Sequence, residues 1–341
     1  MVLAAGLKPA VSTAAEPSGL ERLLDLLGED LQQVNRLIVE KMHSEVALIP
    51  QLAGHIVAAG GKRLRPLLTL AAARLCDYRG TRHHALAACV EFIHTATLLH
   101  DDVVDESALR RGRATANAVW GNKASVLVGD FLFSRAFQLM TADGSLRVLK
   151  ILSDASAVIA EGEVQQLLTA NDIETTVEAY LSVIGAKTAV LFAAACRIGA
   201  VVAERPAADE EALRVYGQAL GMAFQLVDDL LDYTAREADL GKSIGDDFRD
   251  GKLTLPVVLA IAKATPEERG FWRRCLEEQD QQPGDLERAI QLCQRHGTLA
   301  ETLAAARRYR DEAVAALQRF PMSPVRQALE EVARFTVDRG Y

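Results

Sequence analysis

The sequence predicts one large all-α domain built from many helices. Three observations carry that prediction. Half of the 341 residues are hydrophobic but only 5% are aromatic, and Ala and Leu dominate. Such a mixture favours helix over strand. Apolar residues recur at spacings of three and four from Leu20 onward, which is the period of one helix face. No clear alternating strand and no strand–Gly-loop–helix unit is present.

The first period runs through Leu23, Leu26, Leu27 and Leu31, then Val34, Leu37 and Ile38. It returns in Leu86 to Leu99, Ser145 to Leu168, Val177 to Val202, Glu211 to Tyr233, Pro256 to Ala264 and Ala300 to Leu317. Breakers fall between these stretches: Gly60-Gly61, Gly112, Gly121-Asn122, Asp143-Gly144, Gly241 to Gly251, Pro283-Gly284 and Pro321. The stretch from Ala235 to Leu253 is charged, Gly-rich and long for a loop in a compact domain. Loops of that kind are more often functional than idle. Residues 1–19 are rich in Ala, Pro, Ser and Thr and read as a flexible N-terminus, leaving 20–341 as the domain. They lack the charged-then-apolar signal pattern. An organelle signal is the alternative, with Lys8 as its only base.

Net charge is −8, from 38 basic and 46 acidic residues. That sign gives no support to nucleic-acid binding. It leaves open an anion held by local bases or by metal. The five cysteines form no C-x-x-C pair and are odd in number. They read as small hydrophobes in a reduced, cytoplasmic protein. No uncharged apolar run reaches the ~18–20 residues of a membrane span; Val190 to Ala203 comes nearest, and Arg197 interrupts it.

Two acidic segments stand on apolar helices: Asp101-Asp102-Val103-Val104-Asp105 and Asp228-Asp229-Leu230-Leu231-Asp232. Asp101 and Asp105 are four apart and share one helix face. Two carboxylates there repel, and the negative end of the helix dipole opposes them. A hard divalent cation with oxygen ligands offsets those costs. His94 lies within about 20° of both acids around the axis, so the three form one polar stripe. Asp102 points elsewhere. In the second segment Gln225, Asp229 and Asp232 lie at i, i+4 and i+7, and Asp228 and Asp232 are four apart. The plain alternative for each segment is a solvated acidic turn. No EF-hand, H-E-x-x-H or Cys ligand set is present, and separated carboxylates suit Mg²⁺ shared with phosphate oxygens.

Bases alternate with these acids along the chain. Gly60-Gly61-Lys62-Arg63-Leu64-Arg65-Pro66 sets three bases beside two glycines that allow close ligand approach. Leu109-Arg110-Arg111-Gly112-Arg113 follows the first acidic segment. Lys187-Thr188 interrupts an apolar helix, where the Lys either snorkels or reaches into a cavity. Lys242 and Lys252 flank the Gly-Asp-Asp loop, as ligands or as surface charge. Gly241-Lys242-Ser243 is not a Walker A loop, because position 236 is Arg. Two diphosphates, one bridged by Mg²⁺ and one held by bases, fit this alternation most simply.

In combination these residues resemble the trans-type isoprenyl diphosphate synthases. The match runs from about Leu20 to the C-terminus. It rests on GGKRLRP, LLHDDVVDES with RRGRATAN, Gly129-Asp130, Lys187-Thr188, FQLVDDLLDY and GKSIGDDFRDGKLTLP. The resemblance implies a helical bundle around a central cavity with the two Asp segments face to face, and a homodimer. It implies that Asp101, Asp105 and Asp228 lead Mg²⁺ ligation, with Asp102 and Asp232 as further ligands. Arg110, Lys187, Thr188, Gln225 and Lys242 would contact the allylic diphosphate. Lys62, Arg65, His94 and Arg111 would hold isopentenyl diphosphate. Asp101, Asp105, Lys187 and Asp228 would carry the catalysis.

The implied reaction is ionisation, condensation and elimination, with the released diphosphate as base. An apolar wall would keep water from the cation. Short-chain members carry bulky aromatics four or five positions before the first Asp. Here those positions hold Thr97 and Ala96, which implies a long product. The segment from Phe92 to Asp105 looks most like octaprenyl, solanesyl and decaprenyl synthases of quinone biosynthesis, ubiquinone included, with membrane contact only at product release. Phe131, Phe133 and Phe137 are candidates for the cavity floor. The rival readings are a medium- or short-chain synthase, a terpene cyclase, a head-to-head condensing enzyme, and a non-catalytic subunit of a heteromeric synthase.

Overall fold

A computed structural model describes residues 18–58, 63–110, 112–234 and 244–338. Helix α1 (Gly19–Lys41) opens with a reciprocal cap. The Ser18 hydroxyl accepts from the Glu21 N–H at 3.3 Å, and the Glu21 carboxylate accepts from the Ser18 N–H at 2.7 Å. The helix therefore starts one residue ahead of the expected domain boundary, and residues 1–17 lie outside the described residues. Leu23, Leu27, Leu31, Val34 and Ile38 form its buried stripe, as the period demands.

Helices α2 (Leu48–Ala58), α3 (Leu64–Leu75) and α4 (Arg82–Val104) follow. A hairpin of β1 (Leu109–Arg110) and β2 (Arg113–Ala114) then pairs Leu109 with Ala114 and Arg110 with Arg113. The sequence shows no strand, and two-residue strands are too short to leave an alternation. Next come α5 (Ala116–Trp120), α6 (Asn122–Asp143), α7 (Leu146–Thr169), α8 (Val177–Ile184), a π-helical turn (Gly185–Ala189), α9 (Val190–Val202) and α10 (Ala207–Thr234). The chain ends with α11 (Asp246–Arg249), α12 (Leu255–Lys263), α13 (Pro266–Trp272), α14 (Asp285–Arg295), α15 (Thr298–Ala316) and α16 (Pro324–Asp338).

Helix α4 packs on α6, α3 on α9, and α10 on both α9 and α15. The core has two lobes. Helix α10 threads both, giving Leu213, Tyr216 and Leu220 to one and Met222, Leu226 and Tyr233 to the other. All five cysteines are buried and unpaired. No uncharged run among the described residues reaches span length, because Lys187 and Arg197 both stand in the helix that comes nearest. The continuous helix Val177–Val202 is long and apolar enough to cross a membrane by length and composition, and 61% of its most apolar stretch is buried in the molecule. Arg197 lies within it, and its guanidinium reaches Glu210 at 2.7 Å.

Candidate active site

The acidic ends of α4 and α10 both contribute to the wall of one cavity of about 520 Å³. Asp101 and Asp105 line it together with His94, Thr97 and Leu98, which is the stripe that a helical period places on one face. Asp228 is exposed to the same cavity, with Asp229 and Gln225 beside it. Lys252 links the two lobes across this space: its ammonium lies 3.3 Å from Asp105 Oδ2 and 3.2 Å from Asp250 Oδ2. Burial acts to lower the Lys252 pKa, but Asp105, Asp247 and Asp250 outweigh it and hold the amine above the ordinary lysine range.

Asp102 is 3% exposed and turns away from this cavity. Its Oδ1 accepts from Arg110 Nε at 2.8 Å and Nη2 at 2.7 Å. In this arrangement Asp102 braces Arg110, whose side chain reaches the cavity wall. Two nitrogens converging on one carboxylate oxygen orient the guanidinium. Asp232 is likewise engaged, by backbone donors. Its two carboxylate oxygens accept the Asp246 and Asp247 N–H groups at 3.2 and 3.1 Å, so it caps α11. Asp247 stands in the cavity wall instead.

A hydrogen-bonded chain ties α8 and the π-helical turn to α10. The Thr188 hydroxyl donates to Gln225 Oε1 at 2.9 Å, and Gln225 Nε2 donates to Asp229 Oδ1 at 2.7 Å. The Tyr180 hydroxyl donates to the other oxygen of Asp229. Asp229 is thus buried and saturated, leaving Asp228 as the accessible carboxylate of the pair. Lys187 projects from the π-helical turn into the cavity, where Glu163 of α7 meets its ammonium at 2.7 Å. The cavity-reaching reading of Lys187 holds, and snorkelling to the surface does not.

On the same α4 stripe, His94 Nε2 accepts from Arg65 Nη1 at 3.1 Å, and the Arg65 guanidinium stacks over Phe192 at 4.4 Å. Arg63 begins α3 and pairs with the buried Glu91 rather than with the cavity. Lys62, Arg111 and Lys242 lie outside the described residues. Thr97 lines the cavity, whereas Ala96 is wholly buried and does not. Neither do Phe131, Phe133 and Phe137. Phe133 stacks with His100 at 6.1 Å, Arg135 covers Phe131 at 4.6 Å, and Phe137 is exposed. The sequence reading did not single out Glu163, Tyr180 or Asp247. For Glu163 and Tyr180 the cue was a charge or hydroxyl on a largely apolar helix; for Asp247 it was the Gly-Asp-Asp loop.

The carboxylates carry an electrostatic cost. Burial pushes Asp101 up to about 7; Lys187 opposes that rise, and Glu163 and Asp105 add to it. Burial also pushes Asp229 up to about 7, against the bonds from Tyr180 and Gln225. Burial, then Asp229 and Asp232, raises Asp247 well above the usual carboxylate range. Desolvated acids that face one cavity with oxygen donors alone fit a hard divalent cation, which removes their mutual repulsion. Asp101, Asp105 and Asp228 line that cavity and could hold such an ion.

Comparison with known proteins agrees with this architecture. The polyprenyl synthetase family profile matches residues 46–293. The chain is 49% identical over 320 residues to the octaprenyl diphosphate synthase of Escherichia coli K12, covering 94% of this chain and 99% of that one. The crystal structure of a decaprenyl diphosphate synthase from Rhodobacter capsulatus superposes with a TM-score of 0.92 at 56% identity, covering 94% and 99% of the two chains. A polyprenyl synthase from Caulobacter crescentus CB15, complexed with calcium and isoprenyl diphosphate, superposes with a TM-score of 0.91 at 53% identity, covering 96% and 100%. A family profile that matches most of the chain, and relatives about half identical over nearly its whole length, show that the chain belongs to the polyprenyl synthetase family.

Proposed function

We propose that this chain is a long-chain all-trans-polyprenyl diphosphate synthase, adding isopentenyl diphosphate repeatedly to an allylic diphosphate such as farnesyl diphosphate. Its product would serve as a quinone side chain, ubiquinone being the candidate. One observation carries the reading. Helices α4 and α10 present Asp101, Asp105 and Asp228 to a single cavity that also carries Arg65, Arg110, Lys187 and Lys252. A metal-bridged diphosphate and a base-held diphosphate need both sets together.

Asp101, Asp105 and Asp228 hold Mg²⁺ in this reading. When bound, Mg²⁺ neutralises charge on the departing diphosphate. Lys187, Thr188, Gln225 and Arg110 orient that diphosphate, with Lys242 completing the set. Arg65 and His94 place the isopentenyl diphosphate, joined by Lys62 and Arg111. The allylic C–O bond breaks, and the isopentenyl double bond attacks the resulting cation. A proton then passes to the released diphosphate. Leu98, Val183, Ile184 and Phe224 wall the cavity with apolar surface that keeps water from the cation. Small Thr97 leaves the path of the growing tail open.

Supplying the purified chain with isopentenyl and farnesyl diphosphates and Mg²⁺, then sizing the product by chromatography, tests the proposal. Chains of eight to ten isoprene units support it. Arrest after one or two additions returns the short-chain alternative, and no product without a second polypeptide returns the heteromeric one. A homodimer belongs to the same reading. On α6, Val126 and Phe137 are exposed and lie about 20° apart around the axis, with exposed Leu127 adjoining. Sedimentation at the mass of a single chain would remove the dimer from the proposal.

A further inference from the structure

Glu163 is a carboxylate in the cavity wall that none of the roles above uses. Its Oε2 lies 2.7 Å from the Lys187 ammonium, and the two side chains are 25% and 23% exposed. Its Oε1 is buried and has no hydrogen-bond partner among the described residues. A half-desolvated carboxylate with one partner is costly unless that partner stays close. The backbone keeps it close. Lys187 lies at the centre of the π-helical turn Gly185–Ala189, a distortion that recurs at functional sites. Gly162, next to Glu163, packs directly on that turn: a Cβ there would lie 2.7 Å from Ala186 Cβ and 3.1 Å from the Lys187 nitrogen. Helix α7 therefore rides on the turn with no side chain between them. The Glu163–Lys187 pair is set by backbone registry, unlike a chance meeting of two long surface side chains.

The neighbours show why registry matters. Asp101 lies within electrostatic reach of both groups, with Lys187 as its strongest favourable charge. An untethered ammonium on a flexible four-carbon stem would fall onto Asp101 or Asp105. There it would compete with a divalent cation for the same oxygens. Resting on the diphosphate-site reading given above, we infer that Glu163 is a positioning residue that tethers Lys187. It holds the ammonium clear of Asp101 and Asp105, so these stay open to metal, and it aims the remaining N–H donors at the diphosphate. An ammonium has three donors. One serves Glu163 Oε2 and two remain for phosphate oxygens, so the tether need not break when substrate arrives.

The test uses Mn²⁺ binding to the substrate-free full chain, followed by the loss of the free-ion EPR signal. Four proteins are compared: wild type, Glu163→Gln, Lys187→Gln and the double variant, each checked for helix content by circular dichroism. The tether predicts a several-fold weaker Mn²⁺ affinity in Glu163→Gln. It predicts no further weakening when Glu163→Gln is added to Lys187→Gln, because no ammonium is left to misplace. Glu163→Asp, which keeps the charge, recovers part of the affinity. Equal weakening by Glu163→Gln in both backgrounds overturns the inference, since Glu163 would then act on the metal by its own charge. Unchanged affinity in the single variant overturns it as well. Wild type that binds no Mn²⁺ removes the metal-site reading and the inference together, whereas tight wild-type binding insensitive to Glu163 removes the inference alone.

Discussion

Asp101 and Asp102 are adjacent in sequence and opposite in use. One enters the cavity wall, and the other is buried beneath Arg110. Asp101→Ala and Asp228→Ala are expected to lower condensation by on the order of 10²–10³-fold or more, as the loss of a charge-stabilising group does. Helix content by circular dichroism should not change, and near-normal turnover in either variant would sink the metal assignment. The 100° step per residue already separates Asp101, Asp105 and His94 from Asp102. It does not say what Asp102 does instead, because Arg110 returns to it through a hairpin too short to register. A second residue with a pH signature lies far from the cavity. Asp30 bonds Arg74 at 2.7 Å and His84 at 2.9 Å, and His83 is buried beside them. Burial, then His84, lowers His83 to about 4 from 6.5. Its neutral form is favoured in the folded state, so the unfolded chain binds more protons between those values. Stability contributed by His83 is complete above pH 6.5 and is lost as pH falls toward 4, up to about 3 kcal/mol. His83→Gln should flatten denaturation midpoints over that window; an unchanged slope would show that His83 does not set it.

Elements were most legible where one buried face gave the period. The predicted stretches Ser145 to Leu168, Glu211 to Tyr233 and Ala300 to Leu317 coincide with α7, α10 and α15 to within a few residues. Helix α3 escaped because Pro66 through Ala73 are all buried, leaving no polar face to mark a period. The π-helical turn escaped because its extra residue leaves no compositional trace. Gly129 is clearer in retrospect: a Cβ there would come 2.3 Å from His100 Nε2, so the Gly-Asp pair on α6 is a seat for the ring that precedes Asp101. The predicted length-setting positions also separate at this scale. Thr97 faces the cavity, while Ala96 is sealed behind it. Thr97→Phe should shorten the product by filling the tail path directly. Ala96→Phe should shorten it only by displacing α4, with an overpacking penalty of about 1–3 kcal/mol visible as a lower Tm. Full-length product from Thr97→Phe would show that the tail leaves by another route.

At the scale of the whole molecule, the site joins two core lobes that share α10. The alternation of acids and bases along the chain announces an anion site, but the junction itself spans 147 positions from Asp105 to Lys252, beyond any local period. Closing that junction is a folding matter as well as a binding one. In the metal-free state, desolvated Asp101, Asp229 and Asp247 crowd one cavity with Lys187 and Lys252 as their near counter-charges. A ligand that binds only when both lobes are in place adds its binding free energy to the native state. At a hundredfold excess over Kd that is about 2.7 kcal/mol. Spread over the unfolding entropy of a chain this long, it corresponds to a rise in Tm on the order of 4 °C. Mg²⁺ with inorganic pyrophosphate should therefore raise Tm by a few degrees, and EDTA should reverse the rise. Asp228→Asn should remove most of it, although Asp228 lies on the exposed side of α10 where a neutral isostere leaves packing intact. A shift that survives Asp228→Asn and chelation would mean that pyrophosphate binds to the bases alone, and the two acidic helices would then not act as one site.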